Sequence, residues 1–328
     1  MPDKDNLYKL LLTGDRVALG KAITLIESQN PADRQQANEL LNTLLPYTGK
    51  AIRIGITGVP GVGKSTFIEA LGTLITADGK KVAVLAIDPS SPQSKGSILG
   101  DKTRMNKLST NPAAFIRPSA TSGSLGGVAG KTMETILLCE AAGYEVVIIE
   151  TVGVGQSEIA VKNLTDVFLL LMLAGAGDEL QGIKRGIMEM ADILVINKAD
   201  GDNIAQANLA RKAYASALHL LTPQDSAWSP PVLTCSALNS QGIDTVWQQL
   251  LKFYTHQQAT GRLTENRQQQ KKHWLTQTLS SELLLRIKEN PQIKTLLPEL
   301  EQQVIDNKIT PLQAADAVMR VFFGQVKK

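Results

Sequence analysis

The chain has 328 residues, of which 43% are hydrophobic and 20% charged, a composition that excludes a disordered protein. Lysine and arginine number 34 and aspartate and glutamate 31, and the resulting net charge of +3 is too small to indicate a nucleic-acid groove or an anionic membrane partner. Two cysteines and three histidines exclude a disulfide framework, a four-cysteine zinc site and a histidine-rich metal store.

The amino-terminal residues carry acidic side chains and lack an apolar stretch as long as that of a signal peptide. The longest apolar run, 167–176, is about half as long as a membrane-spanning helix. Together with the scarce cysteines, these features predict a cytoplasmic protein that neither inserts into a membrane nor binds nucleic acid.

Residues 14–48 predict two successive helices. Asp15 is the expected N-cap of the first helix, and Asn30-Pro31 separates it from a second helix that extends to about Leu45. The expected apolar face of the first helix consists of Val17, Ala18, Ala22, Ile23 and Ile26.

From residue 51 onward, short apolar runs alternate with helical stretches. The runs are AIRIGIT, KVAVLAID, YEVVIIE, DVFLLLML, DILVINK and PVLTCSA. Continuous apolar runs are typical of strands buried on both faces, so we predict an α/β fold with a mostly parallel central sheet.

After about residue 255 the sequence predicts helices alone, among them WLTQTLSSELLLRIKEN and PLQAADAVMRVFFGQ. Their apolar stripes need a partner, which is either the chain's own domain or a second copy. We therefore predict a helical segment at 1–48, an α/β domain at 49–255 and a helical arm at 256–328.

Residues 58–65 match the phosphate-binding pattern G-x-x-x-x-G-K-[ST], between a predicted strand and a predicted helix. Glycines allow backbone N–H groups to surround an anion at the positive end of a helix. Lys64 is expected to reach the β- and γ-phosphates, and the Ser65 hydroxyl to hold Mg²⁺. The motif predicts a P-loop NTPase.

Acidic residues follow or lie near the ends of neighbouring predicted strands. Asp88 ends KVAVLAID, Glu150 ends YEVVIIE, and Asp101 lies in the segment GSILGDKTR. The carboxyl ends of parallel strands meet at one edge of a sheet, and Mg²⁺ needs one or two direct carboxylates. The expected metal ligands are Ser65, Asp88, Asp101 and Glu150.

The segment Asn197-Lys198-Ala199-Asp200 has the form N-K-x-D and predicts a guanine site. The Asp200 carboxylate can accept hydrogen bonds from N1–H and the exocyclic amine of guanine, whereas adenine would leave it unpaired. The turn 235–238 follows the next strand and allows a backbone N–H to approach the guanine O6. The expected nucleotide contacts are Gly58, Val59, Pro60, Gly61, Val62, Gly63, Lys64, Ser65, Thr66, Asn197, Lys198, Asp200, Ser236, Ala237 and Leu238.

The machinery for hydrolysis differs from that of small GTPases. Val154 stands where those enzymes carry a water-positioning glutamine, and Gln156 follows two residues later. Lys184 or Arg185, in a glycine-rich loop, can lend positive charge to the transition state. We predict slow intrinsic hydrolysis. The expected catalytic residues are Lys64, Asp88, Asp101, Glu150 and Lys184.

Together these segments resemble the MeaB/ArgK family of P-loop GTPases. The resemblance lies in GVPGVGKST (58–66), IDPSSPQSKGSILGDKTRM (87–105), IIETVGVGQSE (148–158), GAGDELQGIKRG (175–186), NKAD (197–200) and CSAL (235–238). It implies a homodimeric GTPase that uses GTP/GDP and Mg²⁺ and binds no cobalamin itself. Its implied partner is a B12-dependent acyl-CoA mutase of the methylmalonyl-CoA mutase type. The resemblance implies that the GTPase gates the loading of cobalamin into this mutase and protects the mutase from inactivation.

Three other functions are weighed against this one. Members of the same family have also been named kinases or ATPases of lysine/arginine/ornithine transport, although the guanine motif argues against ATP. A metallochaperone GTPase for another metal centre, such as nickel, would need histidine or cysteine clusters. A translation GTPase is disfavoured by the mild net charge.

Overall fold

The computed structural model describes residues 4–28, 30–87, 105–118, 125–151, 157–175, 185–221 and 227–324. The chain divides into two compact units, Met1–His273 and Trp274–Lys328. The first unit contains the sheet and the nucleotide motifs.

Three helices precede the sheet: α1 Lys4–Leu12, α2 Arg16–Glu27 and α3 Pro31–Leu44, with a 3₁₀ turn at Leu45–Tyr47. The Asp15 carboxylate caps α2 by accepting a hydrogen bond from the Ala18 N–H at 2.6 Å, and Asn30 caps α3. One part of the predicted apolar face is wrong, because Val17 is 65% exposed. Leu19 completes the buried stripe instead, since it lies three and four residues before the buried Ala22 and Ile23.

In the described residues the sheet has seven strands, all parallel, in the order β3-β2-β4-β1-β5-β6-β7. The strands are β1 Ile52–Gly58, β2 Val82–Ile87, β3 Ala114–Pro118, β4 Val146–Thr151, β5 Val167–Leu173, β6 Ile193–Asn197 and β7 Val232–Thr234. The predicted α/β fold of the P-loop NTPase type is confirmed. β3 was not predicted from the sequence, because it is a short edge strand that ends in Arg117-Pro118.

Helices cover both faces of the sheet: α4 Lys64–Ala77, α5 Asn106–Thr110, α6 Leu125–Ala141, α7 Ser157–Lys162, α8 Arg185–Met190, α9 Ile204–Leu221 and α10 Ile243–Ala259. On one face α4 and α10 pack against alternate strand residues such as Leu169 and Leu171. On the other face α9 packs against the intervening residues, Leu170 and Met172. The amino-terminal helices α2 and α3 pack on α6.

The order of the strands places the nucleotide motifs at one crevice. β1 lies between β4 and β5, so the chain leaves β1 at the point where the order of the strands reverses. In open parallel sheets the carboxyl ends of strands at such a point form the ligand crevice. The turn between β1 and α4 carries the phosphate-binding pattern.

The amino ends of the central strands, opposite the crevice, adjoin a buried group of charged side chains. Arg53, at the start of β1, pairs with Glu140 at 2.8 Å, and its backbone N–H donates to Asp166 at 2.9 Å. Arg267 also pairs with Asp166, at 2.7 Å, and donates to the carbonyl oxygens of Gly49 and Ala51. Arg267 thereby fixes the segment 262–273 to the start of β1 and β5.

Helices α11 Arg262–Glu289, α12 Pro291–Ile305 and α13 Pro311–Phe322 follow α10. They confirm the helices expected after residue 255, and α12 adds one that the sequence analysis did not name. Leu275 and Leu279 of α11 are each 62% exposed, and Leu283, four residues further on, is 39% exposed. Within the described ranges, none of the helices has the length and apolar character needed to cross a membrane.

Candidate functional site

The phosphate loop runs from Gly58 to Lys64 and ends in the first turn of α4. Gly61 has φ +75° and Gly63 has φ +90°, so both occupy the left-handed region that favours glycine. Gly63 is the N-cap of α4 and makes no side-chain cap bond. The start of this 14-residue helix therefore has backbone N–H groups available to bind an anion.

The first glycine of the loop, Gly58, is required by close packing rather than by its φ angle. A Cβ atom at Gly58 would lie 2.5 Å from the Leu171 carbonyl oxygen and 2.9 Å from the Leu171 Cβ. Both contacts are with β5, which is paired with β1 at this residue. An alanine would push the two central strands apart just where the phosphate loop begins.

Lys64 is folded back onto its own loop. Its ammonium group donates a hydrogen bond to the Gly58 carbonyl oxygen at 3.0 Å. Burial lowers the pKa of Lys64 from its usual value, and the negative charges of Glu150 and Glu158 act in the opposite direction. Glu158 is a buried carboxylate near this lysine that the sequence analysis missed. Its position two residues after Gln156, in a glycine-rich segment, was the available signal.

Ser65 and Glu150 come together beside the loop. The Ser65 hydroxyl lies 3.5 Å from Glu150 Oε1, and Glu150 is 4% exposed. Glu150 is aligned with Ile56 of β1 and Ala86 of β2, at the carboxyl end of the sheet. A hydroxyl group and a carboxylate are oxygen ligands of the kind that Mg²⁺ prefers, so this pair fits a magnesium site.

Several predicted residues lie outside the described part of the chain. They are Asp88, Asp101, Val154, Gln156 and Lys184. Their predicted roles stay predictions.

Asn197 connects the phosphate loop to the turn after β7. Its amide nitrogen donates to the Val62 carbonyl oxygen at 2.8 Å, and its amide oxygen accepts from the Ala237 N–H at 3.0 Å. The Cys235 thiol also donates to this oxygen, at 3.4 Å. Asn197 is 1% exposed, so its amide is buried where it joins the two loops.

A second hydrogen bond joins the two segments of the base site. The Ser236 hydroxyl donates to Asp200 Oδ2 and accepts from the Asn239 N–H at 3.2 Å. Lys198 is exposed and has φ +60°. Leu238 is 78% exposed, whereas Ala237 is buried. The structure therefore brings 197–200 and 236–238 together, next to the phosphate loop.

Comparison with known families shows which family the chain belongs to. The sequence model of the family described as methylmalonyl Co-A mutase-associated GTPase MeaB matches residues 19–292. This chain belongs to the MeaB family. The resemblance inferred from the motifs is confirmed, as is the prediction of a GTP-hydrolysing enzyme.

Relatives of this MeaB-family chain occur in bacteria and animals. GTPase ArgK of Escherichia coli is 50% identical over 92% of this chain and 91% of its own length. The mitochondrial methylmalonic aciduria type A homolog of Caenorhabditis elegans is 46% identical over 98% of this chain and 84% of its own length. The crystal structure of a protein named LAO/AO transport system kinase is 41% identical, covers 97% of both chains and superimposes with a TM-score of 0.74.

We predict that Gly58→Ala destabilises the protein by about 1–3 kcal/mol, because the new methyl group meets the backbone of β5. The free energy of unfolding, measured by urea denaturation, tests this. Gly20→Ala is the matched control, since an added Cβ at Gly20 in α2 meets nothing within 4 Å. It should raise stability by up to about 1 kcal/mol through helix propensity. Equal effects of the two substitutions would contradict the prediction.

Proposed function

We propose that this chain binds GTP and Mg²⁺ in the crevice described above and hydrolyses GTP to GDP and phosphate there. The observation that carries the proposal is the Asn197 amide, which bonds at once to the phosphate loop and to the turn 235–238 after β7, here named the base loop. The two loops therefore adjoin, as the binding of one nucleotide by both requires.

For the base, Asp200 accepts hydrogen bonds from the N1–H and the exocyclic amine of guanine. Ser236 donates to one oxygen of this carboxylate and thereby sets its orientation. The exposed Leu238 and the Lys198 stem offer apolar contacts to the ring. Adenine has an acceptor at N1 and no amine at C2, so it would leave Asp200 without its partners.

For the phosphates, Lys64 exchanges its bond to the Gly58 carbonyl for bonds to phosphate oxygens. The backbone N–H groups of the loop bind the same anion. Ser65 and Glu150 would hold Mg²⁺, which when bound neutralises charge on the phosphates. Asp88 and Asp101 are proposed as further ligands, and Lys184 as a positive charge for the transition state.

The proposed partner is a B12-dependent acyl-CoA mutase of the methylmalonyl-CoA mutase type. In this proposal GTP hydrolysis gates the loading of cobalamin into the mutase and protects the mutase from inactivation. The chain itself binds no cobalamin. The family description, which names a mutase-associated GTPase, supports this role. So do the animal relatives named methylmalonic aciduria type A homologs.

A second candidate is a nucleotide-dependent kinase or ATPase of basic amino-acid transport, which the name of the structurally related LAO/AO transport system kinase favours. The placement of Asp200 beside Ser236 argues for guanine and thus against ATP. A metallochaperone for another metal has less support: in the described ranges no group of three or more His, Cys, Asp or Glu side chains is arranged to hold a metal ion.

We also propose that the chain forms a homodimer through its helical arm, 256–328. Leu275, Leu279 and Leu283 are spaced by four residues on α11, and their exposure leaves an apolar stripe that a second copy can bury. The proposed division at residues 48 and 255 assigns GTP hydrolysis to 49–255. Both cysteines are free thiols, which supports a cytoplasmic location.

We predict that Asp200→Asn exchanges the preference of the protein from GTP to XTP, because an amide can donate to the C2 oxygen of xanthine. The kcat/KM should fall by about tenfold or more for GTP and rise by about tenfold or more for XTP. Asp202→Asn, which alters an exposed acid two residues away, is the matched control and should keep GTP preference. An Asp200→Asn variant that still prefers GTP over XTP would exclude Asp200 as the guanine reader.

Addition of a purified B12-dependent mutase should raise the rate of phosphate release from GTP several-fold, because the chain lacks a glutamine directly after Gly153. Lys64→Ala, which removes the phosphate-binding ammonium group, should abolish the stimulated rate. An unchanged rate would contradict the mutase partnership. Transfer of the γ-phosphate to protein rather than to water would favour the kinase.

Leu279→Glu should raise the dimer dissociation constant by about tenfold or more, because it places a charge in the proposed interface. Analytical ultracentrifugation measures this constant. Thr278→Glu adds the same charge at the neighbouring exposed position and should leave the dimer intact. A wild-type chain that sediments as a monomer would refute the dimer.

A further inference from the structure

The segment 197–200, which reads the base in the proposed function, contains a residue in an unfavourable backbone conformation. Lys198 has φ +60°, in the left-handed region that residues with a Cβ atom rarely adopt. Its side chain extends toward the phosphate loop: Lys198 Cε lies 4.0 Å from the point that a Cβ atom at Gly63 would occupy. The left-handed backbone therefore sends the lysine stem across the crevice.

The peptide between Lys198 and Ala199 is held at both ends. Its carbonyl oxygen accepts a hydrogen bond from the Asn203 side-chain amide at 2.7 Å, and its N–H donates to the Cys235 carbonyl oxygen at 2.9 Å. The second bond joins two backbone groups. The first depends on a side chain, which a substitution can remove.

Asn203 also bonds to the segment 197–200 through its own backbone. Its N–H donates to the Asp200 carbonyl oxygen at 3.0 Å, in the 3₁₀ turn Gly201–Asn203 that leads into α9. This backbone bond is kept whatever side chain stands at residue 203. The side chain of Asn203 thus acts on Lys198, while its main chain acts on Asp200.

We propose that Asn203 is a positioning residue of the base site. Its amide holds the Lys198 peptide in the left-handed conformation, which sets the lysine stem against the ring face of the bound purine. The inference rests on the proposed function, in which 197–200 reads guanine. It adds a residue outside the N-K-x-D motif whose contribution concerns the ring face and not the edge that Asp200 reads.

Calorimetric titration of the full chain with GDP and with IDP tests this, because IDP lacks the exocyclic amine but has the same ring face. Asn203→Ala should weaken the binding of both nucleotides by about fivefold, the loss of affinity expected for one hydrogen bond. Asn203→Asp keeps the shape but cannot donate to the carbonyl, and should weaken both at least as much. Asn208→Ala is the matched control, since this exposed amide bonds within α9 to the Ile204 carbonyl oxygen.

A double variant separates positioning from a general effect on folding. In a Lys198→Ala background the stem is gone, so adding Asn203→Ala should change GDP affinity no further. A full fivefold loss in that background, or unchanged affinity of Asn203→Ala alone, would overturn the inference. A loss confined to GDP would assign Asn203 to the Asp200 edge and would also overturn it. A wild-type chain that binds no GDP would overturn the proposed function as well.

Discussion

The nucleotide site depends on one buried amide. Asn197 ends β6 and bonds to Val62 of the phosphate loop with its nitrogen and to Ala237 of the base loop with its oxygen. Because an amide has a donor and an acceptor on one rigid plane, it fixes the spacing of the two loops. A carboxylate could not donate to Val62, and an apolar side chain would leave a buried carbonyl and a buried N–H without partners. The separation of base and phosphate is thus set within the protein.

Much of the fold follows from the sequence pattern. Continuous apolar runs predict six of the seven strands in the described residues, since strands buried on both faces have little room for polar side chains. Asp15 and Asn30 begin the amino-terminal helices α2 and α3 as capping chemistry requires. β3 was not predicted because an edge strand tolerates arginine and proline. Val17 was wrongly assigned to the buried face because a single helical turn does not show which of its apolar residues face the core.

The site was predictable to the level of its motifs but not of its contacts. Sequence spacing places Lys64 and Ser65 at a helix start and Glu150 at a strand end, and the parallel sheet brings them together. The bonds made by Asn197 and Asn203 were not predictable, because they depend on how the loops after the strands fold and on which strands are neighbours. The burial of Glu158 depends in the same way on how α7 packs against its neighbours.

In the proposed function, phosphate and guanine are bound in one crevice. Calorimetric titration of the nucleotide-free wild-type chain with GDP and with ADP in the presence of Mg²⁺ tests it most directly. We expect a GDP dissociation constant at least about a thousandfold lower than that for ADP, since Asp200 pairs with guanine and not with adenine. Equal affinities would contradict it, because they would show binding through the phosphate loop without a reading of the base.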